Sequence, residues 1–296
     1  MHKAGFVNIV GNPNVGKSTL MNALVGERIS IITSKSQTTR HRIMGIVNGE
    51  DFQIVYSDTP GALKPNYRLQ ESMLEASESA FKDADVLLYV TDTVESYDKN
   101  LDFLDKVCKM QTPIFLIINK IDLLSSQKEL EDLVDKWKTV LPNARIIPIC
   151  AKEKFNVENL LTQIKELLPE SPAYFDKDAL TDRPARFFVT EIIREKILEL
   201  YDKEIPYSSE VVVEKFVEDK KMIHINAVIY VERDSQKSII IGKGGSMLKK
   251  VGMMARTDVE AFFQKKVFLE LFVKVEKHWR NRDKQLKKFG YQLNNQ

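Results

Sequence analysis

Two glycines, a lysine and a serine near the start of the chain have a spacing that suits phosphate binding. Residues 11–18 have the sequence Gly-Asn-Pro-Asn-Val-Gly-Lys-Ser, which fits the pattern G-x-x-x-x-G-K-[ST]. Glycines let the backbone curl so that its N–H groups point at phosphate oxygens, and a helix N-terminus behind the loop adds positive potential. We expect Lys17 to contact the β- and γ-phosphates of a nucleoside triphosphate, and Ser18 to ligate Mg²⁺. The predicted binding loop comprises Gly11, Asn12, Pro13, Asn14, Val15, Gly16, Lys17, Ser18 and Thr19.

The flanking residues support this interpretation. Residues 5–10 are an apolar run that predicts a buried strand, and residues 19–25 have the pattern of a helix. The phosphate-binding pattern needs that strand-loop-helix context. A glycine turn without a ligand is the alternative, which the rest of the chain has to exclude.

An acidic segment follows a second predicted strand, residues 52–57. The carboxylate of Asp58 can hold Mg²⁺ through water, and Gly61 frees a backbone N–H to meet a γ-phosphate. Open α/β sheets bind ligands at the carboxyl ends of their strands, which is where this segment lies. The nucleotide-binding residues predicted here are Asp58, Thr59, Pro60, Gly61 and Ala62.

A third group of residues indicates which base is bound. Asp122 lies just after a predicted strand, and its carboxylate can accept hydrogen bonds from N1–H and the 2-amino group of guanine. Adenine has neither donor on that edge and would leave the charge unpaired. We expect Asn119 to brace the phosphate-binding loop, Lys120 to cover the base, and the Ala151 N–H to contact guanine O6. The predicted base site comprises Asn119, Lys120, Ile121, Asp122, Cys150, Ala151 and Lys152.

A threonine in the loop after the first helix completes the predicted magnesium site. Residues 36–41 have the sequence Ser-Gln-Thr-Thr-Arg-His, in which Thr39 is favoured and Thr38 stays an alternative. A threonine that joins Mg²⁺ while the γ-phosphate is present, and leaves after hydrolysis, is the physical basis of a switch. The predicted metal ligands are Ser18, Thr39 and Asp58.

These segments, GNPNVGKS, QTTRH, DTPGA and NKID, occur in the order of the sequence motifs of P-loop GTPases. They resemble the TrmE-Era-EngA-type GTPases, and QTTRHR is most similar to the Era family. The resemblance implies a GTP hydrolase with a slow intrinsic rate. Ala62 stands where Ras-like proteins have a glutamine that orients the attacking water. The residues assigned to catalysis are Lys17, Thr39, Gly61 and Asn14, the last as a ligand of the potassium ion that some family members use. Cys150 replaces the serine usual in the family, and little loss of guanine affinity is expected.

Residues 1–170 alternate strand patterns with amphipathic helix patterns. This predicts an α/β P-loop GTPase domain with a mostly parallel sheet and helices on both faces. Asn48-Gly49 is a hairpin signal, so one strand pair is expected to be antiparallel. The predicted strands are residues 42–47, 52–57, 84–91, 113–118 and 145–150, and the predicted helices are residues 68–81, 99–110, 127–140 and 157–168.

The 296 residues suggest about two domains. We predict a GTP-binding domain at residues 1–171, a linker at residues 172–184, and a second domain at residues 185–296. In the second domain the patterns predict helices at residues 187–201 and 246–262, a short helix before the latter, and strands at residues 209–217, 222–231 and 266–275.

A glycine-rich loop, residues 242–245, connects two of these helices. In this order of elements the loop resembles that of a type II KH domain, which implies an α+β fold that binds RNA. A turn with few side chains lets the backbone press against a sugar-phosphate chain. We expect Ile239, Ile240 and Val251 to form an apolar groove for unstacked bases. The predicted RNA-binding residues are Ile239, Ile240, Gly242, Lys243, Gly244, Gly245, Lys249 and Lys250.

Positive charge is concentrated at the end of the chain. Residues 235–296 contain 14 Lys and Arg against 5 Asp and Glu, although the whole chain has a net charge of only +2. The basic residues from Lys274 to Lys288 surround Trp279 and form a predicted basic C-terminal helix that contacts the RNA backbone in a salt-dependent way. A terminal helix whose Trp279 and Leu286 pack on the core is the alternative, and both can hold.

The cysteines and the termini bear on location. Cys108 and Cys150 lie in apolar surroundings and are predicted to be reduced core residues. The chain shows neither a signal peptide nor an apolar run of about 20 residues, so we expect a cytoplasmic protein. A monomer is expected. Peripheral contact with the inner face of the plasma membrane is implied only by the family, with basic surface charge as its one support.

The resemblance implies one function and leaves two alternatives. The protein is expected to be a GTPase switch that binds GTP or GDP with Mg²⁺, binds small-subunit (16S) ribosomal RNA near its 3′ end, and acts in assembly of the small (30S) ribosomal subunit. A passive RNA-binding module with a structural nucleotide site is one alternative. A GTPase that acts at a membrane surface is the other.

Overall fold

The computed structural model describes residues 2–293, which form two compact units. The first unit ends at Asp182 and the second begins at Arg183, while residues 67–69 belong with the second unit. The predicted domain limits at residues 1 and 296 lie outside the described residues.

The first unit is a sheet with helices packed on it. Its strands are β1 (Lys3–Gly11), β2 (Ile43–Asn48), β3 (Phe52–Asp58), β4 (Val86–Asp92), β5 (Ile114–Asn119) and β6 (Arg145–Pro148). The sheet has the order β2-β3-β1-β4-β5-β6. Only β2 pairs antiparallel, across the predicted Asn48-Gly49 turn, and the other neighbours are parallel. The predicted α/β fold is confirmed.

The helices of the first unit cover apolar strands. They are α1 (Lys17–Val25), α2 (Arg68–Ser79, of which residues 70–79 belong to this unit), α3 (Leu101–Cys108), α4 (Gln127–Val140) and α5 (Val157–Leu167). Every residue of β4 is buried, as expected for a central strand of a parallel sheet. Val107 of α3 and Trp137 of α4 pack in one cluster with Tyr89 and Leu116, whereas α1 contacts β1 and α5.

Four parallel strands end on the same side of this sheet, three of them at a polar residue. The carboxyl ends of β1, β3, β4 and β5 are Gly11, Asp58, Asp92 and Asn119. In open parallel sheets this edge is the ligand-binding edge. The topology therefore gathers segments that are more than a hundred residues apart in sequence.

The stretch predicted to be a linker lies along the free edge of the same sheet. Residues 174–182, which we call the strap, follow β2: the Ile46 N–H donates to the Leu180 carbonyl at 2.8 Å, and Thr181 Oγ1 donates to the Met44 carbonyl at 2.7 Å. The Gln53 side chain of β3, fully buried, accepts from the N–H groups of Tyr174 and Phe175 at 2.7 and 2.9 Å. Composition predicts a linker here, and in the structure the backbone groups of the strap find partners on β2 and β3.

The second unit is a three-stranded sheet with helices. Its elements are α6 (Ala185–Leu200), α7 (Ile205–Ser208), β7 (Glu210–Glu218), β8 (Met222–Val231), α8 (Asp234–Ile241), α9 (Ser246–Phe263), β9 (Lys266–Val275) and α10 (Asp283–Lys288). β7 and β8 are antiparallel, and β8 and β9 are parallel. Apolar residues of α6, α8 and α9 form one core with the sheet. The element order confirms the predicted KH fold; the sequence reading missed α7.

The basic C-terminal run contains a shorter helix than predicted, and several of its side chains are buried or paired. Only six residues form α10. Trp279 is fully buried and donates from Nε1 to the Ser208 carbonyl at 3.1 Å, and Leu286 is also fully buried. Arg280 pairs with Glu232, and Arg282 pairs with Glu276. The packing alternative therefore holds for Trp279 and Leu286, which places neither side chain where a base can stack.

One cysteine prediction is wrong. Cys150 is buried, but Cys108 is exposed, because α3 ends at Cys108 and the buried position of that turn is taken by Val107. Both are free thiols. Among the described residues, no helix has the length and the hydropathy to cross a bilayer.

Replacement of Gln53 by alanine tests the strap. The change leaves two strap N–H groups without their buried acceptor, so we expect the free energy of unfolding of the first unit to fall by about 2–4 kcal/mol. Urea unfolding measures that loss, and hydrogen exchange should accelerate at Tyr174 and Phe175. Gln127→Ala, at an exposed position of α4, is the control with an expected change of about 0.5 kcal/mol or less. Unchanged exchange at Tyr174 and Phe175 would show that the strap does not depend on Gln53.

Candidate functional site

The phosphate-binding loop joins β1 to α1 and uses left-handed backbone conformations. Gly16, directly before α1, has a φ of 95°, and a β-carbon there would lie 2.2 Å from Nδ2 of Asn119. Asn14 has a φ of 67°. Asn119 donates from Nδ2 to the Val15 carbonyl at 2.9 Å, so the prediction that it braces the loop is confirmed.

Lys17 is a buried cation at the first position of α1. Its Nζ donates to the Asn12 carbonyl at 2.7 Å. Burial lowers the pKa of Lys17 to about 8, and the carboxylates of Asp58 and Glu95 act against that shift. A lysine held behind a curled loop in this way is placed to meet the outer phosphates of a nucleotide.

Three oxygen-bearing side chains meet beside the loop. Ser18 Oγ donates to Asp58 Oδ2 at 2.7 Å and lies 2.9 Å from Thr39 Oγ1, which lies 3.4 Å from the same carboxylate oxygen. Burial raises the pKa of Asp58, and the charge of Lys17 lowers it. Asp58 Oδ1 is buried and has no hydrogen-bond partner among the described residues. Hard oxygen donors around an unpartnered carboxylate oxygen fit Mg²⁺.

The two neighbouring threonines have different partners. Thr38 Oγ1 lies 2.6 Å from Thr33 Oγ1 and donates to the Lys35 carbonyl at 2.7 Å. The hydroxyl of Thr39 instead faces Ser18 and Asp58. The geometry favours Thr39 as the magnesium ligand, and Thr38 shapes its own loop.

The segment after β3 lies against the phosphate-binding loop. A β-carbon on Gly61 would lie 2.7 Å from the backbone of Pro13, so only glycine fits there without movement. The Ala62 N–H donates to the Gly11 carbonyl at 3.0 Å, and Thr59 Oγ1 donates to the Ile9 carbonyl at 2.8 Å. The predicted γ-phosphate contact therefore belongs to a segment already fixed to the loop.

The base-site residues follow β5 and β6. Lys120 spans from the Asn14 carbonyl, 2.6 Å from its Nζ, to Asp92 Oδ2, 2.7 Å away. Asp122 is exposed in a short 3₁₀ turn. Burial raises the pKa of the Cys150 thiol, and its hydrogen bond with Asp122 raises it further. Cys150 thus contacts the acid that is predicted to choose the base.

One predicted base-site donor is bonded to a side chain of the same site. The Ala151 N–H, predicted to contact guanine O6, donates to Asn119 Oδ1 at 3.0 Å. The Asn119 amide thus turns its oxygen toward Ala151 while its nitrogen braces the loop. The contact of the Ala151 N–H with guanine O6 stays a prediction.

A cavity of about 400 Å³ joins the phosphate-binding loop to the loop of Thr39. Its walls are Pro13, Asn14, Gly16, Lys17, Ser18, Thr19, Ile31, Ile32, Thr33, Ser34, Gln37, Thr38, Thr39, Gly61 and Lys120.

Sequence reasoning missed several polar residues at this site. Asn22 of α1 donates to the Ser30 carbonyl at 2.7 Å and accepts from the N–H groups of Ile29 and Ser30, so it fixes the start of the loop that carries Thr39. Asp92 anchors Lys120. Asp92 could have been found as a carboxylate at a strand end, whereas no sequence signal marks Asn22.

The second unit presents its glycine-rich loop between α8 and α9. Gly242, Gly244 and Gly245 all have positive φ, and a β-carbon on Gly244 or Gly245 would meet nothing within 4 Å. The backbone is therefore open to an approaching chain, at the N-terminus of α9, where an anion is stabilised. The lysines at positions 243, 249 and 250 are exposed.

The groove beside this loop includes Gly245 and Lys249 from the predicted RNA-binding residues, but not the apolar residues predicted to line it. Ile240 and Val251 are fully buried in the core, so the prediction that they take bases is wrong; Ile239 is 48% exposed. Their helices turn these side chains inward to fill the core. The groove, of about 390 Å³, lies between α9 and β9 and is lined by Gly245, Leu248, Lys249, Gly252, Met253, Arg256, Leu269 and Leu271. The spacing of residues 249, 253 and 256 along one face of α9 is the signal that could have found it.

Comparisons with known proteins agree with both units. A family model described as 50S ribosome-binding GTPase matches residues 6–120, and a KH domain model matches residues 204–280. A crystal structure of Era in complex with MgGDPNP and nucleotides 1506–1542 of 16S ribosomal RNA is 37% identical to this chain, with a TM-score of 0.95. That alignment covers 99% of this chain and 100% of the other. The chain belongs to the Era family.

A second Era structure agrees. The crystal structure of a variant of Era from Aquifex aeolicus bound to GDP and AlF4⁻ is 37% identical, with a TM-score of 0.94, and covers 98% of this chain and 100% of the other. The resemblance drawn from the motif letters is confirmed, and Era-family membership extends over both units.

Paired threonine variants test the assignment within this Era-family site. Thr39→Ala removes the hydroxyl that faces Ser18 and Asp58, so Mg²⁺-dependent affinity for a non-hydrolysable GTP analogue is expected to fall about tenfold or more. GDP affinity should change little, because this contact depends on the γ-phosphate. Titration calorimetry with and without Mg²⁺ measures both. Thr38→Ala is the matched control, and a larger effect of Thr38→Ala than of Thr39→Ala would reverse the assignment.

Proposed function

We propose that this Era-family protein binds and hydrolyses GTP and, in its GTP-bound state, holds small-subunit ribosomal RNA near its 3′ end during assembly of the 30S subunit. One observation carries the nucleotide part: the hydroxyls of Ser18 and Thr39 meet Asp58, whose Oδ1 has no partner among the described residues, beside the phosphate-binding loop. The Era structures with MgGDPNP and with GDP and AlF4⁻ support it.

The residues divide the work at the phosphates. Lys17 and the loop N–H groups bind the phosphate oxygens, and the Gly61 N–H meets the γ-phosphate. Ser18, Thr39 and Asp58 hold Mg²⁺, which neutralises phosphate charge when it is bound. Ala62 has no side chain that can orient water, so intrinsic hydrolysis is slow.

A potassium ion at Asn14 is the proposed source of further catalysis. Asn14 Nδ2 donates to the Ser34 carbonyl at 3.1 Å, which leaves the side-chain oxygen of this exposed residue as the atom for a cation. Comparison of hydrolysis in sodium and potassium buffers tests this part, and equal rates would contradict it.

Asp122 is proposed to select guanine. In Asp122→Asn the side chain offers a donor where the carboxylate accepted, so preference should shift from GTP toward XTP, whose extra carbonyl accepts where the 2-amino group donated. Competition binding against labelled GTP measures the shift, which we expect to be about a hundredfold or more in the ratio of affinities. Asp135→Asn, at an exposed position of α4, is the control. Retained GTP selectivity in Asp122→Asn would remove Asp122 from the base site.

The second unit supports the choice of RNA. The description of the matching GTPase family model names the 50S subunit, and that model covers only residues 6–120. The Era structure that matches 99% of this chain contains 16S ribosomal RNA, which belongs to the small subunit. The exposed glycine loop and the groove between α9 and β9 form the surface suited to single-stranded RNA. Lys243, Lys249 and Lys250 would contact its phosphates, with Ile239 at the rim.

Two matched glycine variants test this surface. Gly245→Asp places a negative charge where RNA phosphates approach, so affinity for a 16S 3′-end oligonucleotide should fall about tenfold while GTP hydrolysis is unchanged. Gly26→Asp is the control, because Gly26 also has a positive φ and open space around it but belongs to the first unit. Filter binding measures both variants. Equal losses in the two variants would mean that the effect is general charge repulsion.

The switch itself remains the point that separates this proposal from a passive RNA-binding module. RNA affinity measured with a GTP analogue and with GDP should differ, and equal values would favour the passive module.

We further propose that the protein is a cytoplasmic monomer. Peripheral membrane contact is retained only as a proposal from the basic charge near the C-terminus, and vesicle flotation tests it.

A further inference from the structure

Glu95, in the loop after β4, is a buried carboxylate to which the proposed function gives no role. Its side chain is only 3% exposed. Oε2 accepts from Thr91 Oγ1 at 3.1 Å, whereas Oε1 makes no hydrogen bond among residues 2–293 and lies 3.8 Å from Lys99 Nζ. A buried acid with one hydrogen-bonded oxygen and a distant, exposed cation is costly for folding and calls for an explanation in terms of function.

The backbone holds Glu95 in place. Asp92 Oδ1 accepts from the N–H groups of Val94 and Glu95 at 3.1 and 2.9 Å, which closes a turn at the end of β4. The other oxygen of Asp92 pairs with Lys120, which also reaches the phosphate-binding loop. The turn that carries Glu95 is thus connected to the phosphate-binding loop through Asp92 and Lys120.

The charges around Glu95 belong to the nucleotide site. Asn12 of the phosphate-binding loop approaches the carboxylate, and Lys17, whose Nζ is bonded to the Asn12 carbonyl, is stabilised in its charged form by Glu95. Lys99 Nζ lies 3.8 Å from the carboxylate and is 56% exposed, and Asp92 adds a second negative charge. Burial raises the pKa of Glu95, while Asn12, Thr91 and Lys99 lower it.

We propose that Glu95 is a positioning residue of opposing charge, which steadies Lys17 when the loop is empty and repels phosphates when the loop is filled. Its carboxylate therefore weakens nucleotide binding and favours release. The effect is larger for a triphosphate than for a diphosphate, because the Mg²⁺ complex of GTP carries about one more negative charge than that of GDP.

Glu95→Gln tests the charge while keeping the shape and the bond to Thr91. We expect affinity to rise about threefold for GDP and about tenfold for a non-hydrolysable GTP analogue, with slower release of both. Stopped-flow fluorescence with labelled nucleotides measures this, and thermal unfolding verifies that the variant is folded. Loss of a merely structural brace would weaken both nucleotides alike. Glu131→Gln, an exposed acid of α4, is the control with no expected change.

Lys99→Glu provides a second test that does not disturb the interior. The added negative charge next to Glu95 should weaken the GTP analogue more than GDP, whereas Lys128→Glu, at an exposed position of α4, should change neither. An unchanged ratio of GTP-analogue to GDP affinity in both Glu95→Gln and Lys99→Glu would overturn the inference. The inference rests on the proposed nucleotide site, and the two fail differently: if the unaltered protein binds no guanine nucleotide, the proposed function itself is wrong.

Discussion

The burial of one positive charge constrains the whole nucleotide site. A lysine taken out of water loses its proton unless anions compensate it, and Lys17 is held by Asp58 and Glu95 against that tendency. The two acids are not equivalent. Asp58 is bound to hydroxyls and has an oxygen left over for a metal, whereas Glu95 is bound to the turn behind the loop. A bound nucleotide brings its own negative charge. The positive charge of Lys17 is therefore compensated by Asp58 and Glu95 when the loop is empty, and by the phosphates as well when a nucleotide is bound.

Contacts between residues at the carboxyl ends of strands could be predicted from the sequence, because a parallel sheet brings these ends together on one side. The brace from Asn119 to Val15 and the contact between Ser18 and Asp58 are of this kind. Contacts inside irregular loops could not be resolved, because a loop has no period that assigns each side chain to a face. Thr38 and Thr39 are adjacent and nearly alike, yet only the three-dimensional path of the chain separates their partners.

In the second unit, the prediction of the groove residues failed for a different reason. Ile240 and Val251 were assigned to a groove because they are apolar and close to a functional loop, but both are fully buried. An apolar residue in a small domain is more often needed for the core than for a ligand. The groove is formed instead by the mixed face of α9, where Lys249, Met253 and Arg256 recur at helical spacing. The polar face of α9 therefore lines the groove, whereas its apolar face fills the core.

The strap also determines where the first unit can be separated from the rest of the chain. β2 is an outer strand, and an outer strand with unpaired backbone groups is a template for pairing with other molecules. Residues 174–182 occupy those groups on β2 and bury the Gln53 amide of β3. A fragment that stops at α5, the last helix of the first unit, would expose the backbone of β2 and tend to self-associate. A fragment that extends through Asp182 keeps β2 covered by the strap. The same covering leaves no room for a foreign strand to add to this side of the sheet.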